Sequence, residues 1–228
     1  MSAEPEPATE TVPKREGPRD LAEALGGAHG LADSSLPSLA FVIAYTVGGN
    51  ELEPAIAAAV AVALVLTVVR LAKRETLQFA LAGLVGVGIA AFIASRTGRA
   101  EDFFLPGLLF NGGYALAYAV SIWVRWPLIG VLAGPLVGEG MEWRRDPKRV
   151  AVYTKATWIW VAVFVLRLAV QLPLYLAGAV VALGIAKAAM GVPIFIVAIW
   201  LTYLVLKAGG EIAPDEIGST GEPRAGGG

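Results

Sequence analysis

The sequence predicts an all-α fold, a polytopic helical membrane bundle of about six transmembrane helices with disordered termini. Three observations lead there. Hydrophobic residues make up 56% of the 228 residues and charged residues 16%, against about 45–50% and about 25% in a soluble domain. Mean hydropathy is +0.65, and the apolar residues are gathered into runs separated by short polar stretches. The 18 Lys and Arg are also sorted unevenly between alternate loops. With no Cys and one His, disulfides, iron–sulfur clusters, thiolate zinc sites, a cysteine nucleophile and multi-histidine metal sites are excluded. No metal and no cofactor is expected.

The chain divides into an N-terminal tail (1–25), a helical transmembrane domain (26–207) and a C-terminal tail (208–228). Residues 1–20 are rich in Glu, Pro and Thr, which cannot bury enough surface to offset their ordering entropy. Leu21, Ala22 and Leu25 suggest a short helix at the membrane surface. The acidic start lacks the apolar core of a signal peptide. His29, in a Gly-rich stretch, reads as a loop or headgroup-level residue. The C-terminal tail is rich in Gly and acids.

A bilayer core of ~30 Å takes about 20 helical residues. The first span is expected from Ser35 to Gly49, with Asp33 and Ser34 as N-caps, Pro37 in the first turn and Gly48-Gly49-Asn50 as its stop. The second runs from Pro54 to Leu71, the third from Leu77 to Ala94, the fourth from Phe103 to Val124. The fifth runs from Ala156 to Tyr175, where Pro173 should bend or end it. Residues 178–190 and 193–206 are apolar but individually short, so one kinked helix and an interfacial piece plus a thin span both fit. The run Pro127–Gly138 is too short to cross and reads as interfacial or re-entrant.

With the N-terminus inside, fourteen of the 18 basic residues fall on inner segments. Arg96, Arg99 and Lys187 fall outside, and Arg167 lies within the fifth span. The positive-inside rule then orients both termini to the cytoplasm. Small residues at Ala57/Ala61, Ala59/Ala63 and Gly83, Gly86 and Gly88 allow close helix approach. They suit a tight intramolecular bundle first and a homodimer face second. Trp123, Trp126, Trp143, Trp158 and Trp160 read as interface anchors.

Polar residues inside the membrane carry the strongest functional signal. Asn111, Tyr114, Tyr118, Ser121 and Arg125 follow a 3, 4, 3, 4 spacing that puts them on one helix stripe. Tyr153, Trp160, Phe164, Arg167 and Gln171 share a face of the next span. At 1.5 Å per residue, Asn111 lies ~12 Å and Arg167 ~14 Å below the outer boundary, so the two are level on antiparallel helices. An uncompensated Arg at mid-membrane costs at least ~2.5 kcal/mol. No Asp or Glu lies in the proposed spans, and Glu101 and Asp102 at the outer mouth stand nearer Arg96 and Arg99. The candidate intramembrane polar cluster is therefore Asn111, Tyr114, Tyr118, Arg167 and Gln171. It reads first as a structural hydrogen-bond cluster, and alternatively as a site for an anionic headgroup or solute, with snorkelling of Arg167 as a third reading.

The loop 139–150 places Arg144, Arg145, Lys148 and Arg149 beside Trp143, a candidate contact for anionic lipids. Topology alone also accounts for these charges. Nothing supports nucleic-acid binding. No Walker A, strand-bound GxGxxG, GxSxG, HExxH or paired-carboxylate pattern occurs, so no enzyme is expected and no catalytic residue is assigned.

The segments 26–37 (GGAHGLADSSLP), 96–107 (RTGRAEDFFLPG), 118–127 (YAVSIWVRWP), 138–147 (GEGMEWRRDP) and 171–178 (QLPLYLAG) resemble an actinobacterial family of membrane proteins, domain of unknown function 3159. The resemblance covers about residues 26–207 and implies a bacterial cell-membrane protein, with no activity attached. A fainter similarity is to the intracellular septation protein A type. It rests on a span ending in Arg125-Trp-Pro-Leu-Ile129, a short Gly-containing run and a Trp-rich span from Thr157-Trp158. The first functional expectation is thus a non-enzymatic envelope- or division-associated protein acting through helix–helix contacts. The alternative is a small-solute transporter or anionic lipid-binding protein. The expected partners are the bilayer with its anionic lipids, and a second copy or another membrane protein.

Overall fold

The computed structural model describes residues 35–73, 77–136 and 140–210, and every regular element among them is helical. The short helix at 21–25, His29 and the tails 1–25 and 211–228 lie outside the described residues. The helices are α1 (Leu36–Val47), α2 (Leu52–Ala72), α3 (Leu77–Thr97), α4 (Leu105–Trp123), α5 (Leu128–Leu136), α6 (Pro147–Leu176), α7 (Val180–Ala189) and α8 (Val192–Ala208). Among the described residues, four helical stretches are long and apolar enough to cross a membrane: Leu52–Ala72, Ala100–Trp123, Pro147–Leu176 and Val180–Ala208. Side chains such as Val65, Val68, Phe110, Leu116 and Trp200 point outward, as lipid-facing residues do.

Helix α1 has 12 residues and so spans only ~18 Å. It ends where Gly49 and Asn50 take φ of 73° and 68°, a left-handed turn suited to Gly and Asn. Its neighbour α2 has 21 residues, ~31 Å, so α1 covers about half of it. The shared core holds Phe41 and Val42 of α1, Ala55 and Ala59 of α2, Ala90, Ala91 and Ala94 of α3, the 3-10 turn Ala100–Phe104, and Val180 and Leu183 of α7. This cluster lies at the end of the bundle that carries the Gly178 turn.

The small-residue expectation holds for one face and fails for the others. Ala59 and Ala63 are buried on α2, whereas Ala57 and Ala61 are exposed. A Cβ built on Gly83, Gly86 or Gly88 would meet no atom within 4 Å. The reason is geometric: beside the first half of α3, α1 has not yet begun.

Helices α4 and α6 pair antiparallel. Tyr118 stacks on Trp160 with ring centroids 6.1 Å apart and Tyr114 on Phe164 at 5.3 Å. Farther along, Gly112 faces Leu168. On the other side of α6, Trp160 Nε1 donates to Thr202 Oγ1 of α8 at 3.1 Å. Helix α6 begins nine residues before the expected start at Ala156. Asp146 caps it by accepting from the Lys148 N–H at 2.8 Å, and Pro147 occupies the first turn, a strong start signal. Pro173 does not end it: the proline lies inside α6, which runs on three residues to Leu176 before Gly178 turns with φ 64°.

The ambiguous last stretch is a broken helix. α7 and α8 meet at Met190–Gly191, and Pro193 follows in the first turn of α8. The break changes one reading: Lys187, expected in an outer segment, lies on α7 and donates from Nζ to Ser38 Oγ at 2.7 Å. The 127–138 run supplies α5, nine residues long and ~13 Å. It is fastened to the bundle rather than free in the interface. Ser121 Oγ accepts from Leu128 N at 3.2 Å and Thr157 Oγ1 from Ile129 N at 3.4 Å. With Trp143, Tyr153, Ala156 and Leu206, Ile129 forms a second core at the opposite end.

Candidate functional site

Between the two cores lies a level that carries polar side chains of α4 and α6. Helix α6 carries Arg167 and Gln171 there, one turn apart. Gln171 is 3% exposed, and its Nε2 has no hydrogen-bond partner among the described residues, nor has Arg167 Nε. The guanidinium lies over the Phe195 ring at 5.2 Å, a cation–π contact with α8. Tyr114, Tyr118, Trp160, Phe164 and Phe195 form a continuous aromatic layer on its Trp143-end side.

The expected cluster is brought together only in part. Asn111 is buried, and the pairing of Gly112 with Leu168 puts it level with Arg167. Asn111 makes no side-chain hydrogen bond among the described residues, so the expected bonded network is not formed. Tyr114 is 51% exposed; with Tyr118 it serves the aromatic layer through its ring. Ser121 is structural, donating to the Tyr118 carbonyl at 2.7 Å. Arg125 leaves the stripe altogether. Helix α4 ends at Trp123, and Arg125 follows with φ 57°, its N–H bonded to the Ile122 carbonyl at 3.0 Å.

At the Gly178 end, Arg99 pairs with Glu101 through Nε at 2.8 Å. The hydrogen bond and charge of Glu101 raise the Arg99 pKa above its ordinary value. Asp102, expected at the outer mouth of the fourth span, is buried there and accepts from the Tyr175 hydroxyl at 2.6 Å. This bond ties the start of the α4 stretch to the end of α6.

The basic loop is a compact cap rather than an open loop. Arg144 and Arg145 lie in a 3-10 turn, and Lys148 and Arg149 in the first turn of α6. Arg144 stacks over Trp126 at 3.8 Å. Arg144, Arg145 and Lys148 are exposed. Trp143 is no interface anchor: it is fully buried against Gly130, Gly134 and Tyr153. Two glycines four residues apart on α5 make a slot for its indole.

A protein-family model described as "Protein of unknown function (DUF3159)" matches residues 25–212. The chain belongs to the DUF3159 family. The match runs from before α1 to just past α8, so the whole described bundle of this DUF3159 protein is the family's domain. No curated protein and no solved structure matches the chain, and the similarity to the septation protein A type gains no support from these comparisons.

Sequence reasoning passed over a second polar group in this DUF3159 chain: Ser38, Thr67, Arg70 and Lys187, which line one cavity. Arg70 was counted with the inner segments and Lys187 with the outer ones. A signal did exist for Lys187, the only charge in the apolar stretch 178–206 and four residues before the Gly191 break.

Proposed function

We propose that this DUF3159 protein is a non-enzymatic, multi-pass protein of the bacterial cell membrane that binds an anionic headgroup or solute within its bundle, at Arg167 and Gln171. One observation carries the reading: a half-buried cation and a buried amide, a turn apart, each hold a buried N–H without a partner among the described residues. Burying a donor without an acceptor costs about 1–3 kcal/mol, more when it is charged. A bound anion removes that cost for both groups. Exposed Arg144, Arg145 and Lys148 would gather anionic lipid at the cytoplasmic face by ~1 kcal/mol each near the surface.

The test compares Arg167→Gln with Arg167→Lys in reconstituted protein. Arg167→Gln is expected to keep its helix content yet lose anion binding or uptake by about tenfold or more, the worth of a charge-assisted hydrogen bond. Arg167→Lys is expected to retain part of it. Wild-type binding by Arg167→Gln would end this reading.

A scaffold role in envelope or division processes is the second reading, supported by the open glycine face of α3 at Gly83, Gly86 and Gly88, where a partner helix would pack. Both readings share one orientation, with termini in the cytoplasm. Single cysteines in this Cys-free chain check both points: residue 51 is expected to label from outside and residue 145 from inside. A cysteine at position 86 crosslinks between copies only if the scaffold reading holds.

A further inference from the structure

Because α1 covers only half of α2, the bundle is incomplete beside the rest of that helix. The gap is a cavity of about 450 Å³ between α2, α3 and α4. Its polar lining comes from Thr67 and Arg70 of α2, Ser38 in the first turn of α1, and Lys187 of α7. None of the described residues lining it is acidic. The remaining wall is apolar, and Gly83 and Gly86 widen it because they carry no side chain into open space.

We infer that this cavity is a phosphate-binding site, whose ligand is an anionic lipid with its headgroup between Lys187 and Arg70 and a chain along the glycine wall of α3. Lys187 has three N–H donors, of which one bonds Ser38 and the ammonium also lies 5.4 Å from the Phe104 ring centroid. Two donors are left over for a ligand. Arg70 presents a planar fork suited to phosphate oxygens. The first turn of α1 begins at the same cavity, so the positive end of its dipole adds to both charges. Short or broken helices whose N-termini meet at mid-membrane are a recurrent way to bind anionic groups. Here the start of α1 and the α7–α8 break lie side by side, with Gly191 next to Ser35. The apolar wall and the exposed Phe110 at the rim favour a lipid over a free ion. Arg167 does not line this cavity, so the present inference and the bundle site above stand or fall on different variants.

The test is native mass spectrometry and thermal melting of the full chain in detergent, with phosphatidylglycerol, phosphatidylcholine or inorganic phosphate added. Phosphatidylglycerol is expected to stay bound and raise the melting temperature. Lys187→Gln and Arg70→Gln are each expected to weaken that binding about tenfold, while Arg96→Gln leaves it unchanged. Gly86→Leu fills the cavity without touching a charge, and is expected to abolish lipid binding even if a charge variant folds poorly. Equal binding by wild type, Lys187→Gln and Gly86→Leu would overturn the inference. Tight binding of inorganic phosphate that depends on Lys187, with no preference for phosphatidylglycerol, would keep the phosphate site but overturn the lipid assignment. Equal retention of phosphatidylcholine would overturn the role of the phosphate-binding cations.

Discussion

Replacing Gly184 by Ala is expected to destabilise the bundle by about 1–3 kcal/mol, the usual cost of overpacking a filled interior, and Gly184→Val more. A Cβ at this position would overlap Val42 Cγ2 of α1, and would stand 3.3 Å from Val42 Cβ and 3.6 Å from Phe104 Cζ. Neither neighbour can withdraw. Val42 and Phe104 are both buried, and Phe104 packs edge-on against Phe41 and Phe103. The strain falls on the contact between α1 and α7, three residues before Lys187, so the 2.7 Å bond from Lys187 to Ser38 should loosen as well. The double variant Gly184→Ala/Val42→Ala removes the overlapping methyl and is expected to recover most of the loss. Unfolding in mixed micelles, followed by circular dichroism, gives the coupling free energy between the two sites directly. A single Gly184→Ala variant as stable as wild type would mean that α1 does not pack against α7 at this level.

Trp143→Ala is expected to cost about 3–5 kcal/mol, the range for deleting a large buried aromatic. The indole is fully buried, stands 5.1 Å from the Tyr153 ring, and fills the slot left by two glycines of α5. A Cβ on Gly130 would come within 2.8 Å of the ring, so Gly130→Val is expected to expel it and give a similar loss. Trp143→Phe should be milder, because a smaller ring still occupies the slot. The damage is local to the Trp143 end. Limited proteolysis should open the segment from α5 to Asp146, while the spans stay folded and the Gly178-end core is unaffected. A proteolysis pattern like that of wild type would show that Trp143 does not hold the cap to α6.

Much of this was legible in the residues. The apolar runs, their approximate ends and the break near Gly191 could be read directly, because helix formation and partition into lipid depend on neighbours along the chain. The level pairing of Asn111 with Arg167 followed from counting residues at 1.5 Å each, and the antiparallel aromatic contacts of α4 and α6 agree with it. Reading the segment before Ala156 as a loop missed the Asp146-Pro147 helix start, a signal that was present but outweighed by charge. The expected burial of the α3 glycines failed for another reason. Small residues permit close approach, but they do not say whether a helix is there to approach.

The sequence alone therefore determined that this is an all-α chain of long apolar helices with Arg167 inside one of them, since hydropathy and helical period are local properties. Only the tertiary structure decided where the cations go. Lys187 is turned from an expected outer segment to the start of α1, and Arg70 is set at a cavity that exists because α1 is about half the length of its neighbour. That outcome depends on which helices lie side by side and where each begins, relations between residues as far apart as Ser38 and Lys187 that no local pattern encodes.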